Sequence, residues 1–192
     1  MAVGDRPGTS RLPGLEGVWV FIGADAVVFA LLFGSFMNDR RAAPEVFAVS
    51  HQALNVDLGG LDTLILLTSS WLVALAMRAL ARDELDRVPR FLLGGVLTGL
   101  LFVGSKSVEY TEKLSVGITP VSDGFFMWYF VLTGIHLLHV LAGTVLLGML
   151  WTRARRRRYT STDRATPECV ASFWHLVDLL WIVLFPLLYL QR

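Results

Sequence analysis

Long uninterrupted apolar runs constrain this chain more than any other feature. A helix that crosses the hydrocarbon of a bilayer needs about 20 predominantly apolar residues, and such runs cover residues 18–37, 61–80, 91–108, 125–150 and 170–190. They occupy roughly half of the chain and leave only short connectors. Strands of a membrane barrel would alternate in polarity and be about half as long. The pattern predicts an all-α fold: a polytopic membrane helical bundle with five transmembrane helices, one domain over residues 17–192, preceded by a flexible cytoplasmic N-terminus over residues 1–16. With 54% hydrophobic and 17% charged residues among 192, a soluble domain with a polar surface is excluded. A lone Cys169 cannot close an intramolecular disulfide, and a formal charge of +1 gives no reason to expect nucleic acid as a partner.

The basic residues orient the bundle. Twelve of the 17 Lys and Arg fall on the side of the N-terminus, six of them from Arg153 to Arg164. Translocating basic residues is disfavoured, so the N-terminus and that loop are expected in the cytoplasm of a bacterium, with the C-terminus outside the plasma membrane. The run Arg155 to Arg158 could instead be a patch for anionic lipid or nucleic acid; the topogenic reading is preferred. The first fifteen residues, with Pro7, Gly8, Pro13 and Gly14, lack the compact basic start and short apolar core of a signal peptide. Gly95 and Gly99 form one GxxxG, which would let another helix approach closely.

Ionisable residues inside the spans are where function is sought, because a charge at the bilayer centre costs at least ~2.5–3.5 kcal/mol and must face the bundle or a wet cavity. Asp25 lies near the middle of the first span, among Phe21, Phe29 and Leu32. A carboxyl there is either protonated or held by a donor from another helix, and a neutral structural acid competes with a proton-linked or lipid-linked role. His136 and His139 share a face of the fourth span, and Glu168, His175 and Asp178 form a stripe on the fifth with Trp174 and Trp181 alongside. Three histidines with carboxylates invite a metal or haem hypothesis, yet the spacing argues against it. A di-iron bundle uses Glu-x-x-His on paired helices, whereas here the fourth span has His-x-x-His and the order of His175 and Asp178 is reversed. Mutual satisfaction of imidazole and carboxyl groups across helix interfaces is the preferred role, with no metal and no redox cofactor on this chain.

Lys106, Glu109, Tyr110 and Lys113 mark the outer end of the third span. There Glu109 can pair with either lysine, and Lys106 and Lys113 are candidates for phospholipid head-group contacts. Asp62 is read as a helix cap, and Thr111 to Gly124 as a plain turn. No catalytic constellation is evident.

Four segments resemble subunit III of the haem-copper oxidases, in the short five-helix form found with bacterial quinol oxidases and with nitric-oxide-reductase-associated proteins. They are Gly17 to Phe29 (GVWVFIGADAVVF), Val108 to Thr111 (VEYT), Thr133 to Gly143 (TGIHLLHVLAG), and Glu168 with Phe173 to Trp181 (FWHLVDLLW). The ending WIVLFPLLYL is similar to the nitric-oxide-reductase-associated branch. The long form's two additional N-terminal helices have no counterpart in the resemblance, and Asp25 stands where that form has Glu. The resemblance implies a non-catalytic subunit of a terminal respiratory oxidase in aerobic electron transport, packed on the catalytic subunit I that holds haem and copper, ordering phospholipid and supporting sustained proton uptake. It implies that Asp25 is the buried carboxyl near a lipid cleft, and that Glu109, His136, His139, Glu168, Trp174, His175 and Asp178 form the polar framework. The competing expectations are an accessory subunit of a nitric oxide reductase, a stand-alone haem or metal enzyme using His136, His139 and His175, and a proton-coupled transporter using Asp25, Glu109 and Asp178. Against transport stands the absence of an inverted repeat.

Overall fold

The computed structural model describes residues 16–156 and 164–190. Within them the apolar runs become helices α1 (Glu16–Ala42), α3 (Val56–Ala81), α4 (Val88–Ser115), α5 (Gly124–Arg155) and α6 (Ala165–Phe185), the last continued by one π-helical turn, Pro186–Leu190. A short helix, α2 (Pro44–His51), lies between α1 and α3. Five of the helices are long and apolar enough to cross a membrane, and the described residues contain no strand. The expected flexible stretch 1–16, apart from Glu16 in α1, lies outside the described residues, as do Arg157 and Arg158.

The helices outrun the apolar segments that predict them. Spans read from hydropathy stop at the first polar residue, but helical hydrogen bonding continues until a cap or a turn ends it. α3 begins at Asn55, whose side-chain oxygen accepts from the Leu58 N–H at 3.1 Å. This removes Asp62 from the capping role expected of it and places it in the second turn, where it has no free N–H to satisfy. α3 closes at Asp83, which adopts the left-handed conformation at φ 56° and leaves the Glu84 N–H bonded to the Ala79 carbonyl. α5 is capped by Asp123, which accepts from the Phe126 N–H at 2.8 Å. The expected plain turn from Thr111 to Gly124 is helical through Ser115.

α2 has no hydropathy signature of its own. Pro44 sets its first turn, Glu45 and His51 complement its two ends, and Phe47 alone is buried, packed edge-on against Phe36 and Phe125. It lies across the end of the bundle where α4 stops and α5 starts: Ser50 donates to Asp123 at 2.6 Å, and the Lys113 ammonium donates to the carbonyl of Ala53 just beyond it at 2.6 Å.

α3, α4, α5 and α6 form the bundle proper, α3 packing on α4 and α6, and α5 on α4 and α6. The core between them includes Val73, Phe102, Leu132, Val140, Leu147, Trp174, Val177 and Leu184. Two glycines permit its closest approach. The Trp174 ring fills the notch between Gly99 and Gly143, where a Cβ would meet it at 3.0 and 2.6 Å. Gly99 belongs to the GxxxG, so that motif serves α4's contact with α5 and α6. α1 lies outside this ring against α5 and α6, and only 11% of its membrane window is buried, against 44% for α6.

Candidate functional site

Polar side chains inside the bundle gather at distinct levels. Toward the end of the bundle that α2 crosses is an ionic cluster that joins three elements. Lys106 on α4 donates from its ammonium to Glu109 Oε2 at 2.6 Å, one turn along the same helix, and to the Tyr189 hydroxyl at 3.0 Å. The same ammonium lies 3.0 Å from Asp62 Oδ2 on α3. Tyr189 closes the ring by donating to Glu109 Oε1 at 2.8 Å. All four groups are at most 1% exposed. An ammonium has three N–H bonds; Glu109 and Tyr189 accept two of them, and the Asp62 carboxylate faces the charge as an ion pair. The rings of Trp181 and Tyr189 face it at 4.5 and 5.1 Å.

This geometry corrects two sequence-based expectations. Lys106 does not reach the head-group level, because Asp62 and Glu109 hold its charge inside the bundle, where an unpaired ammonium would be far costlier. Lys113 also turns inward, to the Ala53 carbonyl. Of the two lysines that could pair with Glu109, the structure selects Lys106. Asp62 and Tyr189 were missed as members of the cluster. The available signal was Lys106 itself, which stands inside the apolar run 91–108 and nine residues before the end of α4, where a lysine needs a counter-ion.

One level inward, the His136 ring is sealed between the edge of Phe102 and the face of Trp181. Neither of its nitrogens has a hydrogen-bond partner among the described residues. Trp181 donates its indole N–H to Thr63 on α3 at 3.0 Å, and Tyr110 on α4 shares a 2.6 Å hydrogen bond with Thr133 on α5. Deeper still, His175 Nδ1 meets the Ser70 hydroxyl at 2.7 Å. The expected stripe on α6 therefore splits: His175 faces α3, while Trp174 faces α4 and α5. Asp178 is buried at 3% exposure, and neither of its oxygens has a hydrogen-bond partner among the described residues. Glu168 sits half-buried in the first turn of α6, where a carboxylate complements the helix dipole.

The remaining level ties α1 to the bundle. Asp25 Oδ1 lies 3.1 Å from His139 Nε2, with the two side chains 11% and 19% exposed. The other ring nitrogen of His139 donates to the Ile135 carbonyl at 2.8 Å, and Phe29 and Phe173 flank the imidazole. Nearer the end that α2 crosses, Trp128 donates to Asp39 at 2.9 Å. The interhelical partner sought for Asp25 in the sequence is thus His139, part of the same His-x-x-His that raised the metal question. Among the described residues no group of three His, Cys, Asp or Glu is placed to hold a metal ion. Chemically, this arrangement links helices: an ion pair joins α3 to α4, hydrogen bonds join α3 to α6, and ring contacts join α5 to α4 and α6.

Comparison with known proteins agrees with the layout. Residues 12–191 match the family model described as cytochrome c oxidase subunit III. The chain is 28% identical over 177 residues to cytochrome bo(3) ubiquinol oxidase subunit 3 of Pseudomonas putida, covering 91% of this chain and 84% of the relative. It is 30% identical over 175 residues to cytochrome c oxidase subunit 3 of Synechocystis sp., covering 91% and 74%. A probable cytochrome c oxidase subunit 3 of Mycobacterium tuberculosis, strain H37Rv, is 28% identical over 176 residues, covering 92% and 87%.

Proposed function

The chain belongs to the cytochrome c oxidase subunit III family, and we propose that it acts as a non-catalytic subunit of a terminal respiratory haem-copper oxidase in a bacterial plasma membrane. It packs on the catalytic subunit I, which carries the haem and copper, while this chain binds no redox cofactor. One observation supports this most directly: the interior ionisable groups Lys106, Glu109, Asp62, His139 and Asp25 are engaged with one another across helix interfaces. A group consumed in holding helices together is poorly placed to turn over a substrate.

The outer surface supports the same reading. Val20, Leu31, Leu64, Trp71, Leu138 and Val145 are exposed on the membrane-spanning helices, a face for lipid tails or for partner helices. An apolar groove of about 340 Å³ between α1, α5 and α6, lined by residues such as Val18, Phe21, Leu146 and Phe173, has the character of an acyl-chain site. The N-terminus lies in the cytoplasm and the C-terminus outside, following the excess of arginine on the inner side.

The test is purification of the chain in mild detergent from its native membrane, with mass spectrometry of co-purifying proteins and lipids and a visible spectrum of the eluate. Recovery with a haem-bearing oxidase subunit I supports the proposal and names oxygen as the terminal acceptor. Recovery with a nitric oxide reductase moves the chain to the accessory-subunit reading. A chain that emerges alone and coloured, or alone and competent for proton flux in liposomes, overturns it.

A further inference from the structure

The ionic cluster shares one cation between two anions. The Lys106 ammonium lies within 3.0 Å of both the Asp62 and the Glu109 carboxylates, and neither Asp62 oxygen accepts a hydrogen bond among the described residues. Buried ions left short of hydrogen-bond partners gain from hydration. Where water could reach them depends on what covers them. Toward the middle of the bundle the cover is Phe102, His136 and Trp181, each at 0% exposure, with ring centroids 5.0 to 5.6 Å apart. Toward the end that α2 crosses the cover is Tyr189, and beyond it opens a pocket of about 610 Å³ whose walls include His51, Gln52, Val56 and Leu190.

We propose that the turn Pro186–Leu190 is a hinged stopper for this cluster: when Tyr189 swings out, water from the adjoining pocket hydrates Asp62, Lys106 and Glu109, and α2 sets how often that happens through His51. Pro186 has no N–H, so the turn joins α6 with one ladder hydrogen bond missing, which makes the junction a natural hinge. Tyr189 is seated by its hydroxyl, which accepts from Lys106 and donates to Glu109, and by its ring, which lies against Gly59 of α3 where a Cβ would meet it at 3.0 Å. The latch is on α2, where His51 Nε2 donates to the Tyr189 carbonyl at 2.8 Å. A carbonyl only accepts, so that nitrogen carries a hydrogen whether the ring is neutral or cationic, and the latch does not depend on the charge of His51. α2 is itself tied to the bundle by Phe47, by Ser50 and, just beyond it, by the Ala53 carbonyl. Withdrawing Tyr189 loses its two hydroxyl hydrogen bonds and its ring contacts but returns water to three ions, so opening here costs less than opening an apolar core of the same size. The device does not depend on the identity of the catalytic partner.

Lys106 and Lys113 are the only lysines of the chain, so amine acetylation reports on opening residue by residue. The full complex in mild detergent, with both ends of the bundle accessible, is treated at one fixed alkaline pH with the water-soluble acetylating agent sulfosuccinimidyl acetate, and the two lysines are followed by mass spectrometry of their peptides. Lys113, which donates to Ala53 rather than to Tyr189, is the internal reference. His51→Ala is expected to speed acetylation of Lys106 several-fold and to leave Lys113 at its wild-type rate, while His51→Gln, whose amide N–H donates in place of the imidazole, restores slow labelling of Lys106. An unchanged Lys106 rate in His51→Ala overturns the proposal. So does a parallel rise at both lysines, which would mark a general loosening of the bundle. If His51→Ala does not assemble, Tyr189→Phe, which keeps the ring and removes both hydroxyl hydrogen bonds, decides by the same comparison of the two lysines.

Discussion

Replacing Lys106 by Met tests the outer ionic cluster. The thioether side chain fills nearly the volume of the lysine stem, so little cavity forms and the loss is electrostatic. The substitution removes contacts of 2.6 Å to Glu109, 3.0 Å to Tyr189 and 3.0 Å to Asp62, and leaves two carboxylates that are at most 1% exposed without their cation. Breaking a buried pair on one side costs about 3–5 kcal/mol, which at about 1.4 kcal/mol per factor of ten is two to more than three orders of magnitude in the folding equilibrium. Removing Asp62 as well, as Asp62→Leu, takes one of the stranded carboxylates away and leaves Glu109 with its Tyr189 donor. The double variant is therefore expected to be more stable than the sum of the single losses implies, by a coupling of about 1–3 kcal/mol. Unfolding of the full chain by denaturing detergent in mixed micelles measures all three variants. Additivity within about 0.5 kcal/mol would falsify the idea that Asp62 and Lys106 act as one unit.

Other substitutions separate packing from polar linkage. Gly143→Ala places a Cβ 2.6 Å from the buried Trp174 ring and is expected to cost about 1–3 kcal/mol, whereas Gly148→Ala, which meets nothing within 4 Å, leaves the same unfolding midpoint unchanged. Trp181→Phe keeps the ring over His136 but removes the donor to Thr63, a loss of about 1 kcal/mol in that titration. His51→Ala frees the Tyr189 carbonyl that His51 Nε2 holds at 2.8 Å, so amide exchange across Pro186–Leu190 should quicken while α3 and α5 keep their protection. Equal exchange in both proteins would show that the C-terminal turn is held by the ionic cluster alone.

How much of this was legible beforehand follows from what kind of force sets each feature. Burying apolar surface in lipid demands only length and composition, and both are linear properties of the chain, so the five spans and the all-helical class could be read directly. α2 escaped because one buried ring, Phe47, anchors it, and a single residue leaves no periodicity. The polar residues were visible as anomalies: Asp25, Lys106, His136, His139, His175 and Asp178 all stand inside apolar runs, and Glu109 directly follows one. Their partners were visible only within one helix. Lys106 with Glu109 could be inferred from a spacing of three, since residues three apart share a helical face.

Pairings between helices depend on rotation, depth and neighbour order, which no local pattern encodes. The reach of Lys106 to Asp62 and Tyr189, across 44 and 83 residues, the union of Asp25 with His139, and the turning of His175 to Ser70 were decided when the bundle closed. The sequence by itself determined that this chain must live in a membrane and that its buried charges must find partners. Tertiary structure alone chose those partners, because a charge in a low-dielectric interior is satisfied by whatever group the packing of apolar faces brings within about 3 Å.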